Sequence, residues 1–148
     1  MAKLQINMPD DFALKLSQIE RAVPGITEKV VEAGGEAAVK IAREELDRVV
    51  GDTKYESRST GELQASLGMS PVGVDKKGMV NVKIGFREPR RHRVKSKGSV
   101  TNAMIATVIE HGKSGQPAKP FMARARKKAL RLCRQVMIKT FEEEASKI

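Results

Sequence analysis

The sequence predicts an α+β domain in which long helices from the N-terminal half and the C-terminus pack on a small antiparallel sheet. Three observations lead there. Apolar residues recur every three or four positions from Ile26 to Val49, a run of alternating residues from Val80 to Phe86 follows a turn, and a basic helical stretch opens at Pro120. At 148 residues the chain has the length of one domain, read as 1–148, and can bury roughly two-thirds of its unfolded surface.

Residues 3–8 alternate Lys, Leu, Gln, Ile, Asn and Met, the period of a short half-buried strand that Pro9 stops. Asp10 or Asp11 is placed to cap a first helix carrying Phe12, Leu14, Leu16, Ile19 and Val23, which Pro24-Gly25 closes. A second helix is expected from Thr27, as N-cap, to about Val50, with Gly51 after its end. Ile26, Val30, Ala33, Ala37 and Ile41 form its buried face, and Gly34-Gly35 reads as close packing against another helix or a tolerated defect, ahead of a functional kink.

Residues 51–59 have no apolar period and read as a loop. Thr60 is a candidate N-cap for a short helix with Leu63 and Leu67 on one face, ended by Gly68. Residues 69–74 and 79–86 read as the two arms of a hairpin joined by Asp75-Lys76-Lys77-Gly78, with Val80, Val82, Ile84 and Phe86 on the buried side. Pro71 withholds a donor and points to an edge or a late start for the first arm. Residues 87–101 hold Arg87, Arg90, Arg91, Arg93, Lys95 and Lys97 with Val as the one apolar type, so the sequence predicts a mobile basic loop there. Residues 102–110 fit helix or strand by period alone, and Asn102 as a candidate N-cap favours a helix.

Glu110-His111-Gly112 ends that run, and the segment to Pro120 is bent and stiff: Gly112 and Gly115 are free to take positive φ, while Pro117 and Pro120 fix it. Pro120 suits the first turn of the last helix and Phe121 the role of its anchor in the core. That helix runs to about Ser146. Phe121, Ala125, Ala129, Leu132, Val136 and Thr140 form one seam with Leu130, Met137 and Phe141 beside it, and Arg124, Lys127, Lys128, Arg131 and Arg134 lie opposite. Glu142, Glu143 and Glu144 sit where the helix dipole disfavours them, unless basic neighbours compensate.

The net charge of +10 is concentrated in the back half. Residues 1–86 hold 12 Lys/Arg against 13 Asp/Glu, residues 87–148 hold 16 against 5. Such asymmetry implies a polyanionic neighbour, either nucleic acid or an acidic protein surface. Aromatics are scarce, with four Phe, one Tyr and no Trp, so the core is thin and neighbouring subunits are expected to add stability. Cys133 alone excludes an internal disulfide or a multi-Cys zinc site and reads as a small core residue. No signal peptide or membrane span is read, so the chain is expected to be soluble and made in a cytoplasm.

No catalytic constellation emerges. His92 and His111 have no metal-ligand spacing, nucleophile and phosphate-loop motifs are missing, and Glu110 and His111 are neighbours that do not face each other on a helix. No enzyme activity, cofactor or metal is expected. Glu110 is open to two readings: an ion pair with a partner or with an arginine of the last helix, or a capping or solvated carboxylate.

Two segments carry a resemblance. Ile105-Ala106, Glu110-His111-Gly112-Lys113, Pro120-Phe121-Met122 and Ala125 follow, in order, the pattern aromatic-Ala, Glu-aromatic-Gly-Thr, Pro-Phe-(Leu/Met) and Ala. Thr60-Gly61-Glu62-Leu63-Gln64-Ala65-Ser66-Leu67 follows Thr-Gly-x-Leu-x-x-Ser-(Leu/Ile). In these residues the chain resembles the head-to-tail joining, neck and tail-completion proteins of long-tailed bacteriophages, often called minor tail components. Ile105, His111 and Lys113 depart from the pattern.

The resemblance implies a small α+β subunit in a homo-oligomeric ring of the virion, between portal and tail, with other neck, portal and tail proteins as partners. Thr60, Gly61, Leu63, Gly112, Pro120 and Phe121 are then structural motif positions. The basic loop, Glu110, Arg124, Lys127, Lys128 and Arg131 are the candidate partner-binding residues, with DNA leaving the head as a further, non-specific contact. The alternative is a basic nucleic-acid-binding module, whose affinity would fall steeply with salt. Against it, the basic stretches lack interleaved aromatics for base stacking.

Overall fold

The computed structural model describes residues 10–51, 60–88 and 100–148. The expected strand at 3–8, the loop expected at 51–59 apart from Gly51, which instead ends the first helix, and most of the basic loop lie outside them. The described elements run α1 (Asp10–Gly51), α2 (Glu62–Ser66), β1 (Leu67–Met69), β2 (Gly73–Val74), β3 (Val80–Asn81), β4 (Ile84–Phe86), α3 (Asn102–His111) and α4 (Phe121–Ala145). The α+β architecture is the one expected, with α1 and α4 packed together and the small sheet beside them.

One correction concerns the N-terminal half. The helices expected on either side of Pro24-Gly25 are a single 42-residue helix. Pro24 deprives the carbonyl of Glu20 of its helical donor, yet this stretch faces water, which satisfies that carbonyl in its place. Thr27 is no N-cap. Its hydroxyl donates to the carbonyl of Val23 at 2.8 Å, as a helix-interior threonine does.

α1 and α4 run antiparallel. Lys29 pairs with Glu144, a Cβ on Gly34 would lie 2.7 Å from Cγ of Met137, and Glu45 pairs with Lys128. Gly34 and Gly35 lie about 100° apart on the helix and open it to two layers, since a Cβ on Gly35 would meet Cγ2 of Val82 at 2.8 Å and Sδ of Met69 at 2.9 Å. The core gathers Ile41, Ala42, Leu46, Val49, Leu63, Leu67, Ala106, Phe121 and Ala125.

The hairpin is antiparallel throughout. β1 pairs with β4 in the register Leu67 to Phe86 and Met69 to Ile84, and β2 with β3 in the register Gly73 to Asn81. Met69 to Gly73 takes four residue steps while Ile84 to Asn81 takes three, so the first arm bulges at Pro71-Val72. A proline costs nothing there, since no ladder donor is required of it. Asp75 builds the turn: its Oδ1 accepts from the N–H groups of Lys77 at 2.8 Å and Met79 at 2.9 Å. Leu67, expected on the short helix, already belongs to β1, and it is buried all the same.

Candidate interaction surface

The loop at 111–120 is a preformed corner. Gly112 has φ of 76°, and a Cβ there would lie 2.7 Å from the N of Ala118 and 2.8 Å from the O of Gln116, so a side chain is excluded by both torsion and space. Lys113 and Gln116 exchange backbone hydrogen bonds of 3.0 and 2.9 Å across a tight turn, with Gly115 at φ 77°. The N–H of Lys119 donates to the carbonyl of Ile109 at 2.8 Å, tying the far side of the corner back to α3.

Pro120 occupies the N-cap of α4 rather than its first turn, and it has no side-chain acceptor. Glu110 replaces it. Its Oε2 accepts from the N–H of Met122 at 2.8 Å and its Oε1 from that of Ala123 at 3.0 Å, the second and third donors of the helix. The capping role is therefore the one realised, and Glu110 is spent inside the subunit. Phe121, 0% exposed, then stands edge-to-face with Phe86, the ring centroids 6.3 Å apart at 71°.

A parallel device closes the base of the basic segment. Glu88 Oε1 accepts from the N–H of Ala103 at 2.9 Å, and Thr101, not Asn102, is the N-cap of α3, its hydroxyl accepting from the N–H of Met104 at 3.1 Å. Asn102 is instead 1% exposed, and its Nδ2 donates to the carbonyl of Arg87 at 2.9 Å. The side chain of Arg87 is exposed. Arg90, Arg91, Arg93, Lys95 and Lys97 lie outside the described residues.

Of the motif positions in the first segment, Leu63 is buried in the core, and Gly61, with φ of 75°, is the N-cap of α2 in place of the exposed Thr60. On α4, Arg124, Lys127 and Arg131 are exposed, as is Arg134. Lys128 is exposed as well but not free: its ammonium bonds Glu45 on α1. Glu45 is 3% exposed and is also reached by Arg48 at 3.3 Å. The hydrogen bond from Lys128 holds its carboxyl below the usual range despite burial, and the charges of Arg48 and Arg124 act the same way. Sequence reasoning missed Glu45, although its position four residues from both Ile41 and Val49 placed a charge within the apolar stripe.

At the other end of α4, Glu144 accepts from Lys147 and Lys29, which hold its carboxyl low, and Lys139 lies 3.8 Å from Glu143. The basic groups that the dipole conflict at these acids called for are present at Glu143 and Glu144. Leu130, Leu132 and Phe141, expected on or beside the seam, are exposed. Cys133 is partly covered, and burial pushes its thiol up, away from reactivity.

Among the described residues no helix is long and apolar enough to cross a membrane, and no group of three or more His, Cys, Asp or Glu is placed to hold a metal. A shallow groove of about 300 Å³ between α1 and Met69 carries mixed charges from Glu36, Lys40, Arg43 and Asp47. Compared with protein-family profiles, curated proteins and solved structures, the chain matches none. The surface therefore has to be read from its own chemistry: an exposed row of cations on α4, set in direction by a corner that Glu110, Gly112 and Phe121 fix.

Proposed function

We propose that this protein is a structural assembly component of a tailed phage or prophage virion, acting at the head-tail junction as a neck or tail-completion subunit. One observation carries the reading. The two segments that bear the resemblance, 60–67 and 105–125, are far apart in the chain but meet in one core, where Leu63, Leu67, Ala106, Phe121 and Ala125 pack together. That is what a shared architectural motif requires, since its residues act by holding one another. The α4 cations, Arg124, Lys127, Arg131 and Arg134, are then presented for docking on acidic surfaces of neck, portal or tail proteins. Repetition of weak contacts around an axis stabilises a ring.

The test is genetic and visual. Deletion of the gene from its phage or prophage should leave filled heads and tails unjoined in electron micrographs, and the intact gene supplied in trans should restore complete particles. Joined, infectious particles without it would overturn the reading.

The same cations favour a second reading, a nucleic-acid-binding module. Filter binding to generic duplex DNA across a salt series separates the two. Submicromolar, salt-sensitive binding by a monomer would favour this second reading.

A further inference from the structure

Between Glu110 and Glu142 the chain carries nine Lys/Arg and no acid. Within that stretch Lys127, Leu130, Arg131, Arg134 and Ile138 are linked by spacings of three and four residues and share a sector of about 100° on α4, opposite the seam of Ala125, Ala129 and Val136. Leu130 is 69% and Ile138 51% exposed. Lys127, Arg131 and Arg134 are exposed too and form no ion pair among the described residues. The outward face of α4 is therefore apolar and cationic at once.

We propose that this face docks a second, different protein whose surface sets apolar side chains among carboxylates, with Leu130 and Ile138 at the centre of the contact and Lys127, Arg131 and Arg134 around them. The inference rests on the assembly reading for its setting and deepens it by giving the docking partner a chemistry.

Local charge selects the partner's sign. Residues 124–139 hold seven Lys/Arg and no acid, so the matching surface is acidic. The stretches of this chain outside the described residues do not supply it, since 1–9, 52–59 and 89–99 carry charges of +1, 0 and +5. Nor does a second copy. Setting α4 on α4 brings cations against cations, and the exposed apolar residues of α1, Leu14, Leu16, Ile19 and Val23, lie in residues 10–25, whose three acids and two bases nearly balance. Glu143 and Glu144, near the exposed Phe141, already hold Lys139, Lys29 and Lys147.

The apolar residues select protein over nucleic acid. Phosphates would pair with the cations and leave Leu130 and Ile138 in water, because interfaces with DNA are polar and read through charge. A protein partner buries both at the centre of a rim rich in arginine, the usual anatomy of such contacts.

Paired substitutions in the full chain separate the two contributions. Leu130→Ser with Ile138→Ser removes the apolar centre, and Arg131→Gln with Arg134→Gln removes two of the surrounding cations; all four positions are exposed, and circular dichroism verifies that each variant is folded. The probe is a fluorescein-labelled helical peptide with leucines flanked by glutamates, followed by anisotropy beside a control peptide with serine for leucine and beside duplex DNA. The wild type should bind the leucine peptide about tenfold more tightly than the control, and each paired variant should lose about tenfold in that binding. Duplex DNA bound as tightly as the leucine peptide would overturn the proposal in favour of phosphate, and wild-type affinity in the Leu130/Ile138 variant would overturn it outright. So would sedimentation showing that the wild type associates with itself and that the Leu130/Ile138 variant does not.

In the phage, neither paired variant should restore joined particles. Restoration by the Leu130/Ile138 variant would overturn the docking face and leave the assembly reading standing. Leucine-dependent peptide binding by a protein whose gene is dispensable for joining would do the reverse.

Discussion

Glu110 caps a helix to which it does not belong: its Oε2 accepts from the backbone N–H of Met122, 2.8 Å away, at the start of α4. With its other oxygen on Ala123, the carboxylate does what a capping side chain does, from twelve residues upstream and across a fixed corner. Glu110→Ala should therefore cost about 1–2 kcal/mol in chemical denaturation, the range of a lost N-cap. Glu110→Gln should cost less, because the amide oxygen still accepts one bond while the charge at the helix N-terminus is lost. Equal stability of the wild type and the Ala variant would rule the cap out.

Phe121 should be the most costly side chain to truncate. Its ring is fully enclosed and stands against Phe86, so Phe121→Ala is expected to lose about 3–5 kcal/mol, and the partly covered Phe86 less. Thermal melting compares the two directly. A Phe121→Ala protein that melts with the wild type would show that the anchor is elsewhere.

Acid should loosen the α1–α4 seam. The Glu45 carboxyl is held below its ordinary value of 4.5 by Lys128, so its contribution is fully present above 4.5 and is lost as the pH falls through the lowered value. Glu144, held low by Lys147 and Lys29, contributes in the same direction. Denaturation followed from pH 7 downward should show this loss, and Lys128→Gln should flatten it. At neutral pH that substitution should cost about 1–3 kcal/mol, less than for a fully buried pair, because the Lys128 side chain is 48% exposed and Arg48 still reaches Glu45. An unchanged acid profile in Lys128→Gln would mean other carboxyls control it.

The glycines of α1 should respond in opposite directions. Gly25 has open space where a Cβ would go, so Gly25→Ala should stabilise the helix by up to about 1 kcal/mol. Gly35→Ala places a methyl against the stiff Val82 and against Met69, so it should destabilise despite the better helix propensity. Melting temperatures that rise in both variants would refute the tight packing at Gly35.

What was legible in the sequence was what local chemistry decides. Asp75 and Gly78 specify their turn, and Phe121 after a proline specifies an anchored helix start, whereas the alternation expected over 79–86 is realised as two short strands, Val80–Asn81 and Ile84–Phe86, whose residues are all half-buried. The misreadings came where two local signals competed. Pro24-Gly25 has the composition of a stop, yet the apolar stripe runs through it and the helix follows the stripe. Thr101 and Asn102 are both good caps, and burial of Asn102 against the Arg87 carbonyl leaves the cap to Thr101. Glu45 and Lys128 are 83 residues apart, and no local rule joins them. The sequence placed Lys128 among the cations opposite the seam, because only tertiary contact reveals that it is already engaged.

The notch at Gly34 has a consequence for how α1 and α4 are aligned lengthwise. Met137 is seated where any side chain would intrude, and the pairs at Lys29 and Glu45 flank it on either side like stops on a slide. Advancing one helix by a single turn would lift Met137 out of its seat and part both pairs at once, so the two rods have one stable setting. How far the first rod projects from the body is thereby gauged by the absence of a single methyl group.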